Sequence, residues 1–232
     1  MKKKDTKKRD LTTDNHQSSI INHQSNRLLS EEKLDFLSEM MNIGAGNAVV
    51  AFSQMIQCEV NVEIPKLEIL EGSKISSVSD DPSLPVVCVR MGLVGDIRGD
   101  IFFIVPEEEK NELSHLAEKA MQKPSQLTPD LSALAEIGNI ISGAYLTAIH
   151  DFCQLNIYHS VPTVAIDMIQ SVIDESIVTH SREFEEIILI ENKFVVEKSV
   201  ISTFLLLIPS IQSMKILANS IGQAIKGMRE ER

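Results

Sequence analysis

The chain has 232 residues, 43% of them hydrophobic, and a formal charge of −11, enough apolar content for a sizeable core inside an acidic body. That balance excludes a nucleic-acid binder, which needs a continuous basic face to neutralise phosphates. Three cysteines, Cys58, Cys88 and Cys153, are odd in number and lack C-x-x-C spacing, which argues against a disulfide framework or a zinc site and for a reduced, cytoplasmic setting. The longest apolar runs, such as Ile187 to Ile190 and Thr203 to Pro209, fall far short of the roughly 20 residues of a bilayer span. The N-terminal lysines are followed by polar residues and not by the apolar stretch of a signal peptide.

Charge is unevenly placed along the chain. Residues 1–29 hold seven Lys or Arg against three Asp, a net of +4, so the remainder carries −15 of the total −11. With its Ser, Asn, Gln and His content, the segment 1–28 reads as a disordered polar and basic tail. The competing reading is a contact with an anionic membrane or a partner. Ser30, followed by Glu31 and Glu32, is a helix-start signal: a capping hydroxyl with acids in the positive first turn. Leu34, Leu37, Met41, Ala45, Ala48, Phe52 and Met55 then recur at helical spacing to near Gln57. Glu59 to Ile64 alternates with period two, and Pro65 is expected to end or bend its pairing. Val86 to Leu93 and Asp96 to Val105, joined through Gly95, predict an antiparallel hairpin. Pro106 then opens a closing helix over about Glu107 to Gln122.

The second half repeats this order. Thr128-Pro129-Asp130 supplies a cap, a first-turn proline and an acid, and Leu131, Leu134, Ile137, Ile141, Tyr145, Ala148 and Phe152 continue the apolar stripe. Glu185 to Ile190, Lys193 to Lys198 and Val200 to Ile208 predict strands, and Pro209 opens a last helix from Ser210 to Met228. The expected architecture is α+β: a pseudo-two-fold duplicated unit of long helix, antiparallel strands and short helix, forming a single domain. Its repeats cover about 29–124 and 125–232.

The duplication is sharpest in its polar residues. Asp35, Glu39, Asn42 and Pro65 recur 97 residues later as Ser132, Glu136, Asn139 and Pro162, an Asp/Ser-x3-Glu-x2-Asn-x22-Pro pattern kept without insertion. At 100° per residue, Glu39 lies about 40° from Asp35, Asn42 about 20° to the other side, and Gly46 about 20° as well. One narrow stripe results, and Ser132, Glu136, Asn139 and Gly143 repeat it. A polar stripe is ordinarily the solvated face of an amphipathic helix. Here, however, Asn and Gly each cost the helix up to about 1 kcal/mol relative to Ala, at matching places twice, which a mere solvated face has no reason to repeat. No nucleophile-and-base set, phosphate-binding glycine loop or metal-type histidine spacing accompanies the stripe. His150 and His159 read as surface or partly buried residues.

The segment Met41-Asn42-Ile43-Gly44-Ala45-Gly46-Asn47-Ala48, with Glu39 before it and Pro65 after it, resembles the signature of the CheC/CheX/FliY family, phosphatases that dephosphorylate response regulators in bacterial and archaeal chemotaxis. Both copies match, as in CheC and FliY types, whereas the CheX type keeps one. The resemblance spans about Leu29 to Met228. No C-terminal flagellar switch domain of the FliY kind is legible, which favours a stand-alone CheC-like phosphatase domain over 29–232.

The resemblance implies two long helices exposed side by side and assigns roles. Glu39 and Glu136 would pair with a lysine of a docked, phosphorylated CheY-like response regulator. Asn42 and Asn139 would orient the water that attacks its phosphoaspartate. Asp35 and Ser132 would support the glutamates or contact the partner, and Pro65 and Pro162 would shape the site. The chain would need no cofactor of its own, Mg2+ belonging to the regulator, and would act as a monomer. The alternative is a non-catalytic docking or adaptor protein that binds a response regulator or the CheD deamidase, a partner of CheC-type members. A structural protein of the flagellar switch is the third reading, disfavoured by the missing switch domain.

Overall fold

The computed structural model describes residues 28–71, 85–120, 129–172, 174 and 186–230. The expected tail therefore lies outside the described residues, as do the Thr128 cap and the junction between repeats at 121–128.

Helix α1 spans Glu31–Ile56 and is followed by strands β1 (Val60–Val62), β2 (Lys66–Glu71), β3 (Pro85–Gly95) and β4 (Gly99–Pro106) and by helix α2 (Glu107–Ala120). The second half repeats this order as α3 (Pro129–Cys153), β5 (Ile157–His159), β6 (Thr163–Met168), β7 (Glu186–Val196), β8 (Ser199–Pro209) and α4 (Ile211–Glu230). All eight strands join one antiparallel sheet with the path β1-β7-β8-β4-β3-β5, to which β2 adds on β7 and β6 adds on β3. The repeats exchange strands: β1 and β2 of the first pair with β7 of the second, and β5 and β6 of the second pair with β3 of the first. Neither half can complete its sheet alone, so the duplication makes one domain of the α+β class.

Helices α1 and α3 lie antiparallel on one face of the sheet. Phe36 near the start of α1 meets Phe152 near the end of α3 edge-on at 6.0 Å, and the Cys153 thiol reaches Met40 Sδ at 3.8 Å. Between these ends the helices approach so closely at Gly44 that a Cβ there would sit 2.8 Å from the Tyr145 ring, so only glycine fits. Leu37, Met41, Ala48 and Phe52 of α1 and Leu134, Ile137 and Ile141 of α3 bury their expected stripes against Val89, Phe103, Ile190, Phe194 and Leu205 of the sheet. The opposite sheet face carries a second core, with Cys88, Phe102, Ile104 and Leu206 packed with Ile169 and Val172. Burial pushes the Cys88 thiol up to about 12 and the Cys153 thiol to about 11.

Several local expectations change. Ser30 has the extended backbone of an N-cap and its carbonyl accepts from Leu34 N at 2.9 Å, but its hydroxyl makes no capping bond. The two strands expected at Glu185 to Ile190 and Lys193 to Lys198 are one continuous β7. Within it Asn192 is fully buried on the helix side, where the Tyr145 hydroxyl donates to its carboxamide oxygen. That bond satisfies the buried carboxamide oxygen and so offsets part of the cost of placing Asn192 inside a strand. Strands β2 and β6 were not anticipated; each lies just beyond a proline and finds its partner in the other repeat. Among the described residues, no helix is long and apolar enough to cross a membrane.

Candidate functional site

Both polar stripes stand in the middle of long helices whose other faces are locked into the core. On α1, Asp35, Glu39 and Gly46 are exposed and Asn42 is half-buried; on α3, Ser132, Glu136, Asn139 and Gly143 are all half-buried. Among the described residues, the side chains of Glu39, Asn42, Glu136 and Asn139 have no hydrogen-bond or ion-pair partner, whereas Ser132 has one. Each pair therefore offers an unengaged carboxylate and carboxamide on a rigid scaffold. The carboxylate can accept from a cation, and the carboxamide can both accept and donate without titrating.

The prolines belong to the same local device in each copy. Val62 faces Phe194 and Lys66 faces Glu191, so four steps on the first strand oppose three on β7. His159 faces Leu93 and Thr163 faces Arg90, again four steps against three on β3. Both prolines thus sit in a one-residue bulge, where a missing N–H leaves no gap in the ladder. The residue ahead of each bulge still pairs, Glu63 N donating to Lys193 O at 3.0 Å and Ser160 N to Gly92 O at 2.8 Å. The pairing bends at Pro65 and Pro162 and resumes beyond them.

The turn from helix into bulged strand also repeats. Gln57 and Gln154, 97 residues apart, both take left-handed φ, 53° and 54°, to end their helices. One turn earlier a side chain ties the next strand down. Ser53 Oγ donates to Cys58 O at 2.5 Å and accepts from Val60 N at 3.0 Å. At the equivalent place His150 Nδ1 bonds Leu155 O at 2.8 Å. These features lay beyond sequence reasoning, because Ser53 and His150 share no chemistry until both are seen to hold the same carbonyl. The second copy further has a cleft of about 340 Å3 lined by Gly143, Thr147, His150, Tyr158 and His159. There the His159 ring lies 3.5 Å from where a Cβ on Gly143 would be, while around Gly46 that space is open.

Two segments of the chain, 32–69 and 130–166, match the model of the CheC-like family, and they bracket the two helix, bulge and proline units. The chain is 29% identical over 203 residues to the CheY-P phosphatase CheC of Bacillus subtilis (strain 168), covering 85% of this chain and 97% of that protein. Its fold matches Thermotoga maritima FliY with a TM-score of 0.68 at 17% identity, over 85% of this chain and all of that one. It also matches the FliM–SpeE complex from H. pylori with a TM-score of 0.58 at 13% identity, over 85% of this chain and 98% of the other. The doubled motif falls within the two matched segments, and over these the chain is similar to CheC-like proteins.

Proposed function

We propose that this chain is a phosphatase that hydrolyses the aspartyl phosphate of a CheY-like response regulator, one docked at either stripe. The observation that carries this reading is the repeated presentation of an unengaged Glu and Asn, one helical turn apart, at the same place on two helices. The relative in Bacillus subtilis, named as a CheY-P phosphatase, supports the same substrate. An acyl phosphate is already activated, so hydrolysis needs a water held in line with the leaving carboxylate oxygen. Asn42 or Asn139 accepts a hydrogen bond from that water and aims its lone pair at phosphorus. The new P–O bond forms as the bond to the aspartyl oxygen breaks, releasing phosphate, a carboxylate and the water's proton. Glu39 or Glu136 fixes the helix on the partner by pairing with a lysine there. Magnesium stays with the partner.

The test is a phosphate-release time course with a phosphorylated CheY-type regulator, with and without this chain. Asn42→Ala with Asn139→Ala should lower the rate by on the order of 10² while the fold is kept, the size expected when water positioning is lost. Hydrolysis at the wild-type rate by the double variant would refute the assigned chemistry. The second reading, docking without catalysis to a regulator or to a CheD-type deamidase, draws on the FliM match, since the fold also occurs in a protein whose name carries no phosphatase activity. Binding of the regulator without phosphate release would select it.

A further inference from the structure

Each proline bulge inserts one extra residue into a strand, and an extra residue turns the side chains around it out of their alternation. In the first copy the residue before the proline is Ile64 and in the second it is Val161, 97 positions on; both are 84% exposed. Single exposed apolar residues are ordinary, but among the described residues these two are the most exposed large hydrophobics, and they occur at the same point of both bulges.

The course of the backbone places these side chains beside the stripes. In the second copy Leu155 is tied to His150, and His159 has reached Gly143, so the chain runs antiparallel to α3. Two further extended residues, about 6.6 Å, bring it to Val161. Four residues back along α3, about 6 Å, bring the helix to Asn139. The first copy follows the same path from Ser53, bonded to Val60 N and Cys58 O, towards Ile64 and Asn42.

We propose that Ile64 and Val161 are the apolar anchors of the two docking surfaces, each covered by the phosphorylated regulator when its active-site face meets the adjacent Glu and Asn. This rests on the function proposed above and adds what holds the partner. Continuity with the stripes identifies the occupant, because a body placed over Asn139 to reach a phosphoryl group also covers Val161. The polar groups would aim the chemistry, and the bulge residue would supply contact area that needs no desolvation of charge.

The experiment compares wild type, the double variant Ile64→Ser with Val161→Ser, and Val200→Ser, which alters a β-branched residue, 50% exposed, next to the β7–β8 turn. Steady-state hydrolysis is measured with a phosphorylated CheY-type regulator, and affinity with the same regulator loaded with beryllofluoride and magnesium. The double variant should raise KM and Kd by about tenfold or more, the scale of losing a buried aliphatic contact, with kcat within about twofold and an unchanged circular dichroism spectrum. Val200→Ser should behave as wild type. Unchanged KM and Kd in the double variant, or an equal rise from Val200→Ser, overturns the anchors while hydrolysis by wild type keeps the phosphatase reading. Wild-type binding without phosphate release overturns that reading and leaves Kd to decide the anchors, and failure of wild type to bind at all overturns both. A wild-type dimer that the double substitution dissociates would assign these residues to a second copy of this chain and overturn the proposal as well.

Discussion

The two copies of the site share a framework and differ in cover. Around α1 the stripe stands open: Asp35, Glu39 and Gly46 are exposed, and nothing lies within 4 Å of the space above Gly46. Around α3 the same stripe is half-covered, Ser132 is engaged, and His159 stands over Gly143 beside a cleft that also takes in Tyr158 and His150. What stayed the same is the part that sets geometry: the Glu and Asn spacing, the left-handed glutamine, the carbonyl tied at position 58 or 155, and the bulge with its proline. What drifted is the wall around it. The two copies therefore keep one framework while the surfaces around them differ.

The strongest way to break this comparison uses the glycines. With the second site silenced by Asn139→Ala, adding Gly46→Leu should abolish most of the remaining hydrolysis, a loss on the order of 10². The leucine fills the open space a partner's backbone would enter, while the helix itself gains propensity by up to about 1 kcal/mol. Thermal unfolding should show a fold at least as stable, and retained activity would mean that no partner approaches α1 there. Gly143→Leu in the Asn42→Ala background tests the other copy, but the side chain must first displace His159, so its effect mixes packing with docking.

A smaller effect is expected from charge. Glu39→Lys with Glu136→Lys should weaken regulator binding at low salt by roughly tenfold, because each lysine would face a like charge across the contact. The single changes should separate the copies, with the exposed Glu39 showing the steeper salt dependence, as screening acts on solvent-exposed pairs. Affinity unaltered in both singles and in the double would show the carboxylates to be solvated surface.

The smallest effect concerns the two cores, one on each face of the sheet. Cys88 and Cys153 are held as neutral thiols by burial, with pKa values raised to about 12 and about 11, whereas Cys58 is half-buried. A disulfide reagent at pH 8 should label Cys58 first and the other two only on unfolding. The linkage has a definite sign. The unfolded chain loses these protons near pH 9 and the folded chain does not, so stability is full below pH 9 and declines as pH rises towards 11 and 12. Denaturation midpoints that stay level over that range would contradict the burial.

Sequence alone determined the elements whose causes are local. The two long helices follow from their apolar periodicity, the duplicated fold from the unbroken spacing of 97 residues, and the candidate residues from the cost of placing Asn and Gly twice on a helix. Tertiary structure decided what depends on contacts between distant residues. The strands expected at Glu185 to Ile190 and Lys193 to Lys198 are continuous through Asn192, whose carboxamide oxygen is met by Tyr145, 47 residues away. Strands β2 and β6 became strands through pairing with the other repeat, and that exchange made two similar halves into one domain. Ile64 read as an ordinary strand residue, because alternation says which face a side chain takes only while the register holds. A single inserted residue reverses that assignment, and nothing in the local sequence except the proline marks where it happens.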